Sequence, residues 1–242
     1  MKKTIIITGG SGKFAKSFKK FSKKYKILFP SKYELNILSP RSISKYLNKT
    51  KPNYLIHNAA LSRPMSLHEK DISQSIKKNI IGTCNVVMEC ARLNLKIIYF
   101  SSNYVYEGTK GNYKESSPVK PPNNYAWSKL GGECAVQMYK NSLILRLSIT
   151  ERPFNYKIAY TNIKSSFIYH TEASSIIMKL LDQKGIINVG GKSQTIFNFV
   201  KIEKKDILPK KYDFKNQSNP IPKNSSLNLS KLKKLLKKNI KK

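Results

Sequence analysis

Five short runs of aliphatic and β-branched residues, KTIIIT, KILF, NYLIH, KIIYF and SLILRL, recur through the first 150 residues. The segments between them repeat their apolar residues at helical spacing. The runs are continuous rather than alternating, so each must be covered on both faces. Parallel strands with helices on either side satisfy that demand. The expected fold class is therefore α/β, a doubly wound parallel sheet. Phe14, Phe18 and Phe21 place a helix over residues 13–24, and Ser39 followed by Pro40 marks the N-cap and first residue of a second. Residues 71–94 and 125–141 read as two further helices. Past Thr150 the pattern loosens into one clear helix, TEASSIIMKLLDQK, a short strand, GIINVGG, and a basic amphipathic tail with Leu229, Leu232, Leu235, Leu236 and Ile240 on one stripe.

The first strand runs into TGGSGKFA, residues 8–15, which places Gly9, Gly12 and Ala15 at three-residue intervals before a helix. Glycine there permits a tight turn and close backbone approach to a diphosphate, and free N–H groups at the helix start hold the anion. This is the dinucleotide turn of a Rossmann sheet. It divides the chain into a dinucleotide-binding domain over residues 1–150 and a small substrate lobe over 151–242, with interleaving allowed. An acidic residue after the second strand would bind both ribose hydroxyls of NAD. This chain has Ser31 and Lys32 there, and Lys13 in the glycine turn. A hydroxyl and cations suit a 2′-phosphate, so the expected cofactor is NADP(H).

Tyr125 precedes Lys129 by one helical turn in NNYAWSKLGGE. Residues four apart share a helix face. A cation about 4 Å from the phenol, at an effective dielectric near 20, is worth roughly 4 kcal/mol, about 3 pK units. That would bring a phenol of ordinary pKa about 10 toward neutrality, where a general acid works best. Ser102, at the end of the strand before the loop, is placed to hydrogen-bond the same carbonyl oxygen.

The formal charge of +33 bears on partners rather than on fold. Lysines are spread along the chain without a known nucleic-acid module or aromatic-interleaved basic motif, so the charge reads as compositional bias and no specific nucleic-acid partner is expected. A positive field collects anionic ligands all the same. No apolar run reaches the roughly 20 residues of a membrane span. Cys84, Cys90 and Cys134 lack metal-ligand spacing and read as buried thiols of a reduced, cytoplasmic compartment. The three histidines share no spacing with acids or cysteines, and no metal is expected. Trp127 reads as a packing residue, with walling of the site as the alternative.

The order of these features is a glycine turn, then HNAA, then FSSNYVYEG, then YAWSKLGGE. In that order the chain resembles the extended branch of the short-chain dehydrogenase/reductase superfamily, and within it the dTDP-4-dehydrorhamnose reductases. The similar segments run through nearly the whole chain, ending in PIPKNSSLNLSKLKKLL. The resemblance implies that Tyr125 is the catalytic acid, that Lys129 tunes it and binds the nicotinamide ribose, and that Ser102 completes the triad. It implies that Asn58, Ala59 and Ala60 border the cofactor beside Gly9, Gly12, Lys13 and Phe14. Asn79 matches a helix asparagine near such sites, or is a polar residue of the helix surface. By the same likeness the tail helix docks on the substrate lobe. The chain departs from the family at Asn103 and Asn36, where the family carries aspartates, and is short after Arg146.

The function so implied is NADPH-dependent reduction of the 4-keto group of an anionic nucleotide-sugar, feeding surface polysaccharide precursors, with a homodimer allowed. The alternatives are a sugar-nucleotide epimerase or dehydratase on the same scaffold, and a non-catalytic regulatory subunit that keeps the fold.

Overall fold

The aliphatic runs become strands because their residues can bury both faces at once. In the computed structural model, which describes residues 1–215 and 220–240, they are β1 (Thr4–Ile7), β2 (Lys26–Leu28), β3 (Tyr54–His57), β4 (Lys96–Ser102) and β5 (Ser142–Leu147). A sixth strand, β6 (Gly185–Val189), comes from the C-terminal part of the chain. The sheet order is β6-β5-β4-β3-β1-β2, and every neighbouring pair is parallel. Ile5 and Ile7 enter one apolar cluster and Ile6 another, as the two-residue period of a strand requires. All three are fully buried, and each contributes roughly 1.5–3 kcal/mol of transfer free energy.

Strand order reverses between β1 and β3, so the connections leaving their carboxyl ends diverge and open a crevice. The helices that flank the sheet are α1 (Lys13–Lys16), α2 (Pro40–Thr50), α3 (Gly82–Arg92), α4 (Asn124–Gln137), α5 (His170–Met178) and α6 (Ser230–Ile240). Ser39 caps α2 as expected, its hydroxyl accepting the Ser42 N–H at 3.2 Å. A π-turn, Ile76–Ile81, leads into α3.

Several expectations are revised. The helix expected over residues 13–24 is one α-turn followed by a 3-10 turn, Lys19–Phe21. The Ser17 hydroxyl donates to the Phe14 carbonyl at 2.7 Å and competes with the helical ladder. The C-terminal part interleaves with the sheet domain, as the sequence allowed: β6, α5 and α6 complete the layers around the sheet, and Leu232 of α6 is buried in the same cluster as Ile5 and Ile7. The tail helix therefore docks on the main core beside β6, not on the substrate lobe; the side chain of Ile240, last of its stripe, lies outside the described residues. What remains of the lobe is three short strand pairs and the helix Ile196–Lys201. Of the cysteines, Cys90 is buried, Cys84 intermediate and Cys134 exposed. Among the described residues no helix is long and apolar enough to cross a membrane.

Candidate active site

The glycine turn is fixed from below by Thr8. Its hydroxyl oxygen accepts the N–H groups of Asn58 (3.1 Å) and Ala59 (3.0 Å), so its own proton goes to His57 Nδ1 at 2.9 Å. That assigns the His57 tautomer: Nε2 carries the proton and faces the Thr83 hydroxyl at 3.1 Å, which in turn donates to the Asn79 carbonyl at 2.7 Å. Burial, with the Lys129 charge adding to it, holds His57 neutral, its pKa down to about 3. Gly9 sits at φ +66, and a Cβ there would lie 3.0 Å from the Ala59 backbone. Gly10 is bound more tightly still, since its Cβ would meet the Phe29 backbone at 2.4 Å. Sequence reading passed over Gly10 because the constraint comes from β2, not from a diphosphate.

Asn79 is a buried residue of the π-turn, not a surface polar one. Its amide clamps Leu61 from both sides, accepting the N–H at 2.7 Å and donating to the carbonyl at 2.9 Å, and it reaches Ser128 of α4 at 2.8 Å. The loop after β3 and the helix bearing Tyr125 are thus held in one register. The start of α4 has its own supports. Asn123 caps it through Ala126 N–H at 2.9 Å, and the Glu69 carboxylate accepts the Asn124 backbone N–H at 3.0 Å, where a negative charge also suits the helix dipole.

Ser102 ends β4, and its hydroxyl accepts the Tyr104 N–H at 3.1 Å. Tyr125 is half-buried. Its ring meets His68 edge-on at 5.2 Å and Tyr104 at 6.3 Å. Burial raises the phenol above its ordinary pKa, and the hydrogen bond with Ser102 and the charge of Arg63 pull the other way. The acidification expected from Lys129 is not what this geometry gives. The Lys129 ammonium lies 4.4 Å from the centre of the Tyr99 ring. Burial takes its own pKa down to about 7 against the pull of Glu133, so at neutral pH it is only a partial cation. Glu133, one turn on, is fully buried with Arg146 at 2.5 Å, and accepts from Ser101 at 2.6 Å. Glu133 thus ties α4 to β5 through Arg146 and to the residue before Ser102 through the Ser101 hydroxyl.

A cavity of about 730 Å³ lies across the carboxyl ends of the strands. Gly9, Gly12, Lys13, Phe14, Asn58, Ala59, Ala60, Ser102, Tyr125 and Lys129 all line it. Ser31 and Lys32 do not. The Lys32 ammonium stands 5.0 Å over the Tyr33 ring, and the Ser31 N–H donates to the Glu34 carboxylate at 2.8 Å, so an acid does reach the end of β2, three residues later than a reading of positions 30–32 would look. Trp127 is 55 % exposed and does not line the cavity. Asn103 lines the cavity but spends its amide on Ser225, donating to the hydroxyl at 2.9 Å and the carbonyl at 3.2 Å. Sequence reading missed Arg63, Tyr104, Glu151 and His170, which also line the cavity. Glu151 carried a signal, as one of only 13 acidic residues and placed just past a strand.

The profile of the RmlD substrate-binding domain matches residues 1–152. The chain is 31% identical over 140 residues to methionine adenosyltransferase 2 subunit beta of Xenopus tropicalis, covering 54% of this chain and 42% of that protein. It is 30% identical over 151 residues to the dTDP-4-dehydrorhamnose reductase of Aggregatibacter actinomycetemcomitans, covering 60% and 51%. The chain thus spans about half the length of these curated relatives or less. Among solved structures, dTDP-4-dehydrorhamnose reductase from Bacillus anthracis in complex with NADP superposes with a TM-score of 0.87 at 23% identity, over 96% of this chain and 92% of that one, a likeness of fold. The chain belongs to the RmlD substrate-binding domain family, within the extended short-chain dehydrogenase/reductase superfamily.

Proposed function

We propose that the protein is an NADPH-dependent reductase of a 4-keto nucleotide-sugar, serving surface polysaccharide synthesis. The observation that carries this reading is the meeting of Ser102, Tyr125 and Lys129 with the glycine turn on one cavity. The chain's residues suit a dinucleotide: a positive-φ glycine pressed against Ala59, and Lys13, Arg63 and Lys129 in the lining of the cavity. Gly9, Gly12, Lys13 and Phe14 would hold the diphosphate, Asn58, Ala59 and Ala60 would border the cofactor, and Lys129 would take the nicotinamide ribose. Ser31 and Lys32 follow β2 outside the lining of this cavity, so for the pair to meet a 2′-phosphate the Lys32 ammonium must leave the Tyr33 ring. NADPH bound there supplies the hydride.

Tyr125 gives its phenolic proton to the carbonyl oxygen while the carbonyl carbon is reduced. Its raised pKa keeps that proton in place at neutral pH. Ser102 donates its one hydroxyl proton to the same oxygen, and the positive field of Arg63 stabilises the phenolate left on Tyr125. Lys129, whose pKa burial lowers to about 7, adds to that field when charged. The test is NADPH oxidation against a small panel of 4-keto nucleotide-sugars; turnover of none of them rejects the reading.

A second reading has a specific support, the likeness to a subunit named as part of methionine adenosyltransferase: a non-catalytic subunit on the same fold. It predicts dinucleotide binding without turnover. An epimerase or dehydratase would instead purify with tightly held NAD. A homodimer finds physical support in exposed apolar residues on and beside two helices that pack together: Met88 of α3 with Ile81 of the π-turn before it, and Trp127 of α4 with Met138 just past its end. Sedimentation at two protein concentrations decides it, and a monomer at both rules it out.

A further inference from the structure

Three charged side chains from distant segments meet at the cavity. Lys13 belongs to the glycine turn, Arg63 to the loop after β3, and Glu151 follows the short strand Ile149–Thr150. Lys13 Nζ lies 2.7 Å from one carboxylate oxygen of Glu151, and Arg63 Nη1 lies 3.0 Å from the other. The carboxylate is the sheltered partner, with 12% of its side chain exposed against 70% for Lys13 and 52% for Arg63. The two cations thus reach inward to one anion, and they lower its pKa against the opposing effect of burial. Arg63 also rests over the Tyr156 ring at 5.8 Å.

A carboxylate facing a glycine turn is electrostatically wrong for a site that takes an anionic dinucleotide, unless it acts through the cations. We propose that Glu151 sets the affinity of the site for the dinucleotide: it holds Lys13 and Arg63 as the diphosphate would, and competes with the diphosphate for them. This rests on the reading of the cavity as a dinucleotide site. Exposed pairs of this kind are worth a factor of about one to five apiece, so the exchange of partners is easy. Glu151 keeps both cations ordered at the turn, and its own charge weakens binding and speeds release. The consequence runs against intuition, because removing a charged residue that lines the site strengthens binding.

The experiment is NADPH titration by fluorescence at fixed ionic strength, with wild type, Glu151→Gln, Arg63→Gln and the double variant. Glu151→Gln is expected to bind NADPH about three- to tenfold tighter. Arg63→Gln is expected to bind at least threefold more weakly. In the Arg63→Gln background the gain from Glu151→Gln shrinks, since one of the two competed cations is gone. If wild type binds NADPH and Glu151→Gln binds it no tighter, the proposal is overturned while the dinucleotide site stands. If wild type binds no NADPH, the reading of the cavity fails and takes the proposal with it. Should Glu151→Gln not fold, Arg63→Gln carries the test alone, and an unchanged affinity with an unchanged melting temperature overturns it.

Discussion

Lys129 is the side chain whose removal tells most about how the site is built. Burial takes its pKa from 10.5 to about 7, and at 1.36 kcal/mol per unit the fold works against its charged form by about 4 kcal/mol at pH 7. Contact with the Tyr99 ring returns part of that, on the order of 1–2 kcal/mol. Replacing Lys129 by methionine, of similar reach and no charge, is therefore expected to stabilise the protein by about 1–3 kcal/mol at pH 7. The sign follows from linkage. Below pH 7 the lysine is protonated in both states and the cost of burying it is full. Between pH 7 and 10.5 the unfolded chain binds more protons than the folded one, so wild-type stability rises with pH and the advantage of the variant shrinks. Above 10.5 both states are neutral and the advantage is gone. Denaturant unfolding of wild type and variant at pH 6, 8 and 10 measures the difference, in which the other lysines cancel. A variant less stable at pH 6, or a difference independent of pH, would refute the reasoning. Such a side chain is kept at a cost to stability, which is how functional groups in a core behave.

Two further outcomes are expected. Lys32→Ala should weaken NADPH more than NADH in parallel titrations, and an unchanged ratio would remove Lys32 from the cofactor site. Asn103→Asp should destabilise by about 1–3 kcal/mol in denaturant unfolding, because it trades a buried donor for a carboxylate facing the Ser225 carbonyl; an inert change would mean that the contact does not matter.

Much of the fold could be read from residues. The continuous aliphatic runs gave β1 to β5, and Ser39 with Pro40 gave the start of α2, because burial and capping act locally. What could not be read depends on partners far along the chain. GIINV looked like a strand, but nothing local says that it pairs with β5. The leucine stripe of α6 is amphipathic whichever surface it covers. Phe14, Phe18 and Phe21 suit an α-helix and a 3-10 turn alike, and the Ser17 hydroxyl offers the Phe14 carbonyl a partner outside the helical ladder. The site shows the same division. Its glycine turn and its Ser, Tyr and Lys were visible as motifs, and they line one cavity. The electrostatics were not visible. Spacing alone put the lysine beside the phenol, whereas the fold sets its ammonium on Tyr99 and brings in Arg63, a residue 62 positions upstream of Tyr125 whose charge does reach the phenol. Glu133 offered a better clue. An acid one turn beyond Lys129, in a chain with 13 acids and 46 basic residues, is more than a solvent-facing choice, and it forms the buried pair with Arg146.

In the proposed reaction Tyr125 is the proton donor beside a bound dinucleotide. Tyr125→Phe tests it most directly when binding and turnover are measured on the same preparation. The expected result is NADPH affinity within twofold of wild type, with reduction of the 4-keto sugar slowed about 100-fold or more, the scale of lost general-acid help. Equal rates in the two proteins would contradict it.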